Sequence, residues 1–430
     1  MIDSSRFTAL KILNDVLNGE RFLNLSVKER VINLSDQDRK FCVSLVNNTL
    51  ENLILIDYIT GLFVIKGIKD KTIRNVMRLG VAQLFFMSSV PDEVAVNETV
   101  SLCDKTGKKA LKGFVNAVLR KISLNKLNID YPSKESEPSK YLSIMYSVPE
   151  WICKMYIDDY GFSFTEDLLS YKSDTSLVSF RLKEGRIPNR DWQHGRYSDK
   201  VYYMKNTSDV SKLDEFTDGS IYIMSEASVI TVDAAEIKNQ DKVLDVCSAP
   251  GGKSCYAAEK CLEVTSCDKY PHRVDLINSN AKRMGIKNIK AVCADATIVN
   301  NEYIEAFDVV ICDCACSGLG LMYRKPDIKL LKKQNDIEAL VEQQKRILDV
   351  SSNYVKTGGT LLYSTCTIDR RENEEIIKSF ISDNDAFIPV DFTESLNSHF
   401  AGRVNNGMLQ IFPNIDGIDG FFIARMKKVL

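Results

Sequence analysis

The chain has 430 residues, of which 44% are hydrophobic and 27% charged, with a formal net charge of −2. These values are typical of a soluble globular protein of two or three domains. No apolar run reaches the roughly 20 residues of a membrane helix, and the start, MIDSSRFTALKIL, lacks the basic and then apolar order of a secretory signal. We therefore expect a cytoplasmic protein without a membrane partner, whose 12 scattered cysteines are free thiols.

The N-terminal 128 residues are predicted to form an all-helical domain. Ser35 followed by Asp38, and Pro91 followed by two acids, are typical of helix starts. Apolar residues between positions 108 and 122 recur at helical spacing, namely Leu111, Phe114, Val115, Val118, Leu119 and Ile122. Residues 1–130 carry 19 Lys and Arg against 14 Asp and Glu, so the positive excess lies here. Both a solvated helix face and RNA contact explain such lysines.

A polar, proline-bearing stretch, residues 125–140, is predicted to be a linker. Residues 141–220 are predicted to form a small mixed α/β subdomain. Its runs SLVSFRL and KVYYMK favour short strands between helical pieces.

Residues 221–430 alternate between strand and helix patterns. Short apolar runs at 242–246, 263–267, 290–293, 307–312 and 360–364 are predicted strands with helices between them. This alternation predicts a parallel, doubly wound α/β sheet. At the end of the chain, MLQIF and FFIARMKK flank a turn, which predicts an antiparallel hairpin.

Open α/β sheets bind ligands at the carboxyl ends of their strands. There, KVLDVCSAPGGKS leads from a strand through glycines, which permit close ligand approach, into a helix start with free N–H groups. Asp268, Asp295 and Asp313 end the following strands. Neither GxGxxG nor GxxxxGK[ST] is present, so the acids favour a ligand with a ribose and few phosphates, such as S-adenosylmethionine. Helix capping is the alternative role of these aspartates.

Two cysteines are expected at the same edge. Cys316 follows Asp313 by three residues, and Cys366 follows another predicted strand. A loop thiolate near helix N-termini can act as a nucleophile. Cytosine C5 becomes nucleophilic only when a thiolate has added to C6, and an acid near N3, such as Asp313, would stabilise that adduct. Spacing alone does not decide which sulfur attacks.

A zinc site is the alternative for CDCACSG, where three cysteines alternate. Structural zinc sites usually use paired C-x2-C units or histidines, and His194, His272 and His399 all lie away from cysteine pairs. No metal is therefore expected. Packing is the predicted role of the remaining thiols considered, which are Cys42, Cys103, Cys153, Cys255, Cys261, Cys267, Cys293, Cys312 and Cys314.

These motifs resemble those of the RNA 5-methylcytosine methyltransferases. CSAPGGK is similar to their CAAPGGK cofactor loop, CDCACSG to their DAPCSG motif, and YSTCTIDRRENEEII to their TC motif with its trailing ENE. RKPDIK and DGFFIARMKK match two further stretches. FVNAVLRKI and the helical region before it resemble the NusB-like domain of the bacterial 16S ribosomal RNA enzymes of the Sun or Fmu type. SVPEWICKMYIDDYG and GSIYIMSEASVI resemble segments preceding their catalytic domain, so the resemblance covers nearly the whole chain.

The resemblance implies a Rossmann-like, S-adenosylmethionine-dependent catalytic domain at 221–430. Asp268 would face the ribose and Asp295 the adenine; the full implied cofactor set is Cys247, Ser248, Ala249, Pro250, Gly251, Gly252, Lys253, Asp268, Arg273, Asp295 and Asp313. Cys366 would be the nucleophile and Cys316 the cysteine that assists release, with Asp313 also catalytic.

The implied substrate is an unpaired or flipped cytosine of 16S ribosomal RNA, methylated at C5 by a monomeric enzyme. Two alternatives remain open. One is a cytosine methyltransferase for tRNA or 23S ribosomal RNA, and the other is an RNA-binding ribosome-assembly factor with a vestigial cofactor site.

Three positions depart from the family pattern. Ala315 replaces a proline before Cys316, Cys314 replaces an alanine, and Ala294 replaces a glycine before Asp295. Loss of the proline removes a fixed φ and restores an N–H group, which predicts a less rigid loop around Cys316.

Overall fold

The computed structural model describes residues 4–19, 21–172, 177–189, 191–205 and 210–430. Its helices, in chain order, are α1 (Ser4–Gly19), α2 (Leu23–Arg30), α3 (Asp36–Glu51), α4 (Leu53–Phe63), α5 (Lys71–Phe86), α6 (Asp92–Lys105), α7 (Lys112–Leu124), α8 (Pro138–Tyr146), α9 (Glu150–Tyr160), α10 (Phe162–Ser170), α11 (Asp214–Thr217), α12 (Glu226–Ala234), α13 (Gly252–Ala258), α14 (Pro271–Arg283), α15 (Pro326–Leu331), α16 (Gln334–Ser352), α17 (Glu374–Asp383) and α18 (Pro413–Asp416).

The strands are β1 (Leu177–Leu182), β2 (Gln193–His194), β3 (Val201–Lys205), β4 (Ile221–Ile223), β5 (Lys242–Asp245), β6 (Glu263–Asp268), β7 (Ile289–Cys293), β8 (Phe307–Asp313), β9 (Val355–Thr365), β10 (Phe387–Pro389), β11 (Met408–Ile411) and β12 (Phe421–Lys428). These elements form two compact units, Met1–Ser170 with Lys325–Leu331, and Tyr171–Arg324 with Lys332–Leu430. Across the described ranges, no helix is long and apolar enough to cross a membrane.

The first unit is helical, as its sequence predicts. Helix α3 begins after Ser35, whose hydroxyl accepts the N–H of Asp38 at 3.2 Å, and α6 begins directly after Pro91. The predicted apolar stripe enters the core only from Val115 onward, since Leu111 and Phe114 are 36% and 37% exposed. Leu111 lies in a 3-10 turn that precedes α7, and Phe114 lies in the first turn of α7, before its buried face begins at Val115.

Helices α8 to α10, predicted to belong to a separate subdomain, pack with the helices that precede them. The N–H of Leu55 donates to the hydroxyl of Ser147 at 3.0 Å, and Ile144 joins the same core. Helix α15 also belongs to this unit. Its buried Lys329 donates to the carbonyls of Glu51 (3.2 Å) and Tyr146 (3.1 Å), and burial lowers the pKa of Lys329 to about 8. The division at 1–128, 141–220 and 221–430 stays a prediction.

The second unit contains a small antiparallel sheet in the order β2-β3-β1-β4. Strands β1 and β3 confirm the strands predicted at SLVSFRL and KVYYMK, although Ser176 lies outside the described residues. Phe180 and Ile221 are buried in its core. From the same strand as Phe180, Arg181 is buried and forms two hydrogen bonds to Glu259, at 2.6 and 2.8 Å, which satisfy its charge.

The large sheet has the order β10-β12-β9-β8-β5-β6-β7, with β11 paired to β12. Strands β5 to β9 pair in parallel, and β12 joins antiparallel to β9 and β11. The predicted Rossmann-like sheet with a terminal hairpin is therefore confirmed. Strand β9 starts at Val355, earlier than predicted. The predicted strand begins at Thr360, after Gly358, which has φ +83°, but the observed strand continues across this glycine.

The strand order creates a crevice beside β5. The chain runs outward from β5 through β6 to β7 and then returns to the other side of β5 as β8. The connections that follow β5 and β8 lead to opposite sides of the sheet. This leaves an opening at the carboxyl ends of these two strands, where such sheets bind ligands. The residues after β5 and β8 border this opening.

Candidate active site

The loop after β5, residues 247–253, leads into α13 and is held by α14. Gly251 has φ +99°, a conformation that favours glycine. Arg273 donates to the carbonyl of Ala249 at 3.1 Å, and Asn280 donates to that of Pro250 at 3.0 Å. Arg273, one of the predicted cofactor residues, thus lies against this loop and fixes its backbone.

Each predicted aspartate lies at a strand end and has a partner. Asp268 is buried, accepts the N–H of Tyr270 at 3.2 Å and lies 3.4 Å from Nε of Arg273. Asp295 lies 2.9 Å from Nζ of Lys269. Hydrogen bonds from Thr297 and Lys269 lower the pKa of Asp295 to about 2.

Asp313 joins the loop to the neighbouring strand. Its two oxygens accept hydrogen bonds from Nζ of Lys253 at 2.6 Å and from the hydroxyl of Ser364 at 2.8 Å. Asp313, in the CDCACSG motif, therefore positions the ammonium group of Lys253, which belongs to the CSAPGGK loop. These three residues connect the ends of β5, β8 and β9.

Asp245 is a residue that sequence reasoning missed. It ends β5 and is completely buried, and the hydroxyl of Ser254 donates to its Oδ2 at 2.6 Å. Burial raises the pKa of Asp245 to about 7. The signal was present in KVLDVC, because this acid lies at the end of the first strand as Asp268 does at the end of the second.

The polar atoms beneath the loop fit a polar ligand. Oδ1 of Asp245 and the hydroxyl of Ser248 are buried, and no described residue hydrogen-bonds to either atom. Buried polar atoms in native proteins nearly always have a partner. Acidic strand ends accept hydrogen bonds from hydroxyl and amino groups and do not suit phosphates, so these acceptors fit S-adenosylmethionine.

The two predicted cysteines meet because of strand register. Asp313 on β8 is opposite Ser364 on β9, and Cys316 and Cys366 follow these residues by three and two positions. Their sulfur atoms lie 3.2 Å apart. The hydrogen bond with Cys366, burial and the charge of Glu372 raise the pKa of Cys316 well above its usual range.

The loop around Cys316 is held by side chains on both sides. Nε2 of Gln344 donates to the carbonyl of Ala315 at 2.9 Å, and the N–H of Ser317 donates to Oε2 of Glu372 at 2.9 Å. Gln344 also donates to Glu372 at 2.9 Å. Although Ala315 lacks the fixed φ of proline, these hydrogen bonds give its loop a defined position. Glu372 is the first acid of the ENE sequence, and this motif was the sequence feature that could have pointed to a role for it at the site.

The other cysteines are mostly buried and all twelve are free. Cys312 and Cys314 pack in the core beside β8, as predicted. Cys293 is exposed, so its predicted packing role is wrong; it ends β7, an edge strand that neighbours only β6. Within the described ranges, no group of three or more His, Cys, Asp or Glu side chains has the arrangement of a metal site.

Comparisons with known proteins agree with this arrangement. A family model described as 16S rRNA methyltransferase RsmB/F matches residues 232–427, and a NusB family model matches residues 3–124. The "Probable ribosomal RNA small subunit methyltransferase B" of Bacillus subtilis (strain 168) is 34% identical over 99% of both chains. The chain belongs to this family. The Vibrio vulnificus (strain YJ016) "Ribosomal RNA small subunit methyltransferase B" is 27% identical, with 98% of this chain and 99% of that protein covered.

Solved structures share the fold. The crystal structure of PH0851 has a TM-score of 0.80 at 21% identity and covers 98% of this chain and 99% of that one. NSun6 from Pyrococcus horikoshii, crystallised with SFG, has a TM-score of 0.55 at 19% identity over 64% of this chain and 97% of its own. The family assignment confirms the NusB-like region, the methyltransferase fold and S-adenosylmethionine as the cofactor.

The short distance between the two sulfurs leads to an expected oxidation. Hydrogen peroxide should convert the thiols of Cys316 and Cys366 to a disulfide, with two molecules of water formed, because adjacent thiols condense once one is oxidised. Methyl transfer should be lost and then restored by dithiothreitol. Mass spectrometry of tryptic peptides checks this: residues 291–324 and 357–370 should be linked. Separate sulfinic acids without a link would contradict the 3.2 Å separation.

Proposed function

We propose that this protein transfers a methyl group from S-adenosylmethionine to C5 of a cytosine in 16S ribosomal RNA. The observation that carries the proposal is the pair Cys316 and Cys366, with sulfur atoms 3.2 Å apart, at the same edge as Asp313. Methylation of an exocyclic nitrogen or an oxygen needs no thiol. Methylation of C5 needs one, because the resting ring carbon is not nucleophilic.

The cofactor would be held by the loop and the strand ends already described. Asp268 would bind the ribose hydroxyls and Asp295 the adenine, while residues 247–253 would enclose the remainder. When bound, S-adenosylmethionine supplies an electrophilic methyl group on a sulfonium sulfur. Arg273 would hold this loop in place through its 3.1 Å hydrogen bond to the carbonyl of Ala249.

Cys366 is the proposed nucleophile. Its thiolate adds to C6 of cytosine, and the electron pair of the C5–C6 double bond makes C5 carbanion-like. The ammonium group of Lys253, held by Asp313 at 2.6 Å, would hydrogen-bond to the ring near N3 and offset the negative charge that develops there. The assignment of attack to Cys366 follows the resemblance of YSTCTIDRRENEEII to the TC motif, and the thiol of Cys316, 3.2 Å away, would donate a hydrogen bond to the attacking thiolate.

Cys316 is proposed to assist release. Its thiol would first give its proton to solvent, and the resulting thiolate would take the remaining proton from C5 as a general base. The electron pair of that C–H bond re-forms the C5–C6 double bond, and the bond between C6 and the sulfur of Cys366 breaks so that Cys366 leaves as a thiolate. The hydrogen bonds from Gln344 and to Glu372 on either side of Cys316 would hold it for this step.

The substrate assignment can be tested in cells. Bisulfite mapping of ribosomal RNA from a strain lacking the gene should show one 16S cytosine that has lost its protection, and a plasmid copy should restore it. Lost protection in 23S ribosomal RNA or tRNA instead would favour the alternative substrates. Unchanged protection in every RNA would favour a ribosome-assembly factor without methyl transfer.

Asp268→Asn should weaken cofactor binding. The neutral amide keeps the shape but accepts hydrogen bonds from ribose hydroxyls less strongly, and hydrogen bonds to charged groups contribute about 1.5 to 3 kcal/mol. We expect the Kd for S-adenosylhomocysteine, measured by calorimetry, to rise by roughly 10- to 100-fold. The exposed Asp275 on α14 offers a matched control as Asp275→Asn. Equal affinities in both variants would refute the ribose role.

A further inference from the structure

The second unit has a further opening next to the catalytic loop, which is the loop around Cys316. It is a cleft of about 230 Å³ between the small sheet and the residues that follow the catalytic loop. Its walls include Tyr171, Arg196, Glu226, Tyr323, Arg324 and Asp419. These side chains lie outside the cofactor loop, the strand-end aspartates and the cysteine pair.

The two acids in the cleft are already satisfied. Glu226 is buried and accepts the N–H groups of Arg196, Tyr197 and Ser198 at 3.1, 2.6 and 2.8 Å, and the hydroxyl of Tyr203 at 3.0 Å. Asp419 is also buried, and accepts the Tyr323 hydroxyl at 2.5 Å and a guanidinium N–H of Arg324 at 3.2 Å. Arg324 is thus paired with Asp419, and Glu226 is occupied by backbone N–H groups and the Tyr203 hydroxyl.

Arg196 is the cation that remains available. Its side chain is exposed and lies over Gly417, where a Cβ atom would come within 2.5 Å of Nη1. Within the part of the chain that the structure describes, no carboxylate forms an ion pair with its guanidinium group and no acceptor binds it. A guanidinium group in this state presents a fork of donors that matches a phosphate.

Aromatic rings lie beside this cation. Tyr171 and Tyr323 pack edge to face, with ring centroids 5.2 Å apart, and the hydrogen bond to Asp419 fixes Tyr323. Tyr171 also lines the cleft. A free guanidinium group next to aromatic faces is the combination that binds the phosphate and base of a single-stranded nucleic acid.

The cleft wall is joined to the nucleophile through two glycines. The N–H of Gly420, adjacent to Asp419, donates to the carbonyl of Gly320 at 3.1 Å, and the N–H of Gly320 donates to the carbonyl of Cys366 at 3.1 Å. A side chain on Gly320 would collide with the carbonyl of Gly420. Two backbone hydrogen bonds therefore connect the cleft wall at Asp419 to Cys366, the residue whose sulfur would attack the base.

We propose that this cleft binds a nucleotide that flanks the target cytosine in single-stranded RNA, with its phosphate on Arg196 and its base against Tyr171. The inference rests on the proposed function. It extends that function to a second binding site, which would hold the strand while the target base lies at Cys366.

The test uses the whole chain and a short RNA that contains the target cytosine. Arg196→Gln should raise the KM for RNA by roughly tenfold, since one phosphate contact is lost, and should leave kcat and the Kd for S-adenosylhomocysteine unchanged. Arg186→Gln is the matched control, because Arg186 is exposed in the same unit but outside the cleft. An equal KM in both variants would overturn the inference.

Abasic RNAs identify the nucleotide that is bound. With the wild-type protein, removal of one base next to the target should raise the KM by roughly tenfold, in line with the loss of one stacked base. In Tyr171→Ala that penalty should disappear, whereas Tyr171→Phe should keep it. If Tyr171→Ala still methylates RNA and removal of the base raises its KM as much as in the wild type, the proposed site is contradicted. Absence of methylation by the wild-type protein would instead contradict the proposed function.

Discussion

Cys366→Ala should abolish methyl transfer, by at least about 10⁴-fold, the scale seen when a catalytic nucleophile is removed. Without this sulfur nothing adds to C6, and C5 does not become nucleophilic. The variant should also form no covalent complex with RNA, as judged by denaturing gel electrophoresis. Cys293→Ala is the matched control, because Cys293 is an exposed free thiol outside the catalytic loop.

Cys316→Ala should show the complementary defect. If Cys316 takes the proton from C5, its loss leaves attack intact and blocks elimination, so a protein joined to RNA should accumulate. The two variants therefore differ in one observable, the slowly migrating covalent band. A band in Cys366→Ala and none in Cys316→Ala would reverse the two assignments.

Asp313→Asn should lower kcat by roughly 10² to 10³-fold, the range for a group that stabilises charge in the transition state. The amide cannot hold the ammonium group of Lys253 as the carboxylate does at 2.6 Å, so both polar groups near the ring are affected. Steady-state kinetics with 16S RNA checks this. The Kd for S-adenosylhomocysteine, measured in parallel, separates a catalytic loss from a loss of cofactor.

Ser364→Ala is the control for position alone. It removes the 2.8 Å hydrogen bond to the other oxygen of Asp313 and leaves the charge and Lys253 in place. We expect a loss of only about tenfold. If Asp313→Asn were no worse than Ser364→Ala, the charge of Asp313 would not be needed for the chemistry.

The large sheet and the position of its aspartates could be predicted because both follow from local pattern. Apolar strands alternate with amphipathic helices, and residues at the carboxyl ends of parallel strands meet at one edge. Asp268 and Asp313 therefore end β6 and β8, the strands on either side of β5, and Asp295 follows the end of β7.

The contacts between motifs could not be predicted from spacing. The 3.2 Å separation of the cysteines depends on the pairing of Asp313 with Ser364, and strand register is set by long-range packing. The same holds for Gln344, which lies on α16 and reaches the carbonyl of Ala315. Nothing in the local sequence around either residue indicates this hydrogen bond.

The grouping of the helices also depends on packing. The polar stretch before α8 resembles a linker, yet Ser147 and Ile144 lie against the preceding helices. Helix α15, more than 150 residues further along the chain, joins them through Lys329. Linker composition reports solvent exposure of the connecting residues and says nothing about which elements pack on either side.

The most direct test of the proposed chemistry locates the bond between protein and RNA. Cys316→Ala is incubated with 16S RNA and S-adenosylmethionine, the product is digested with nuclease and trypsin, and the peptides are analysed by mass spectrometry. We predict a nucleotide mass on the peptide of residues 357–370, where Cys366 is the single cysteine. A nucleotide on the peptide of residues 291–324, or on neither peptide, would contradict attack by Cys366.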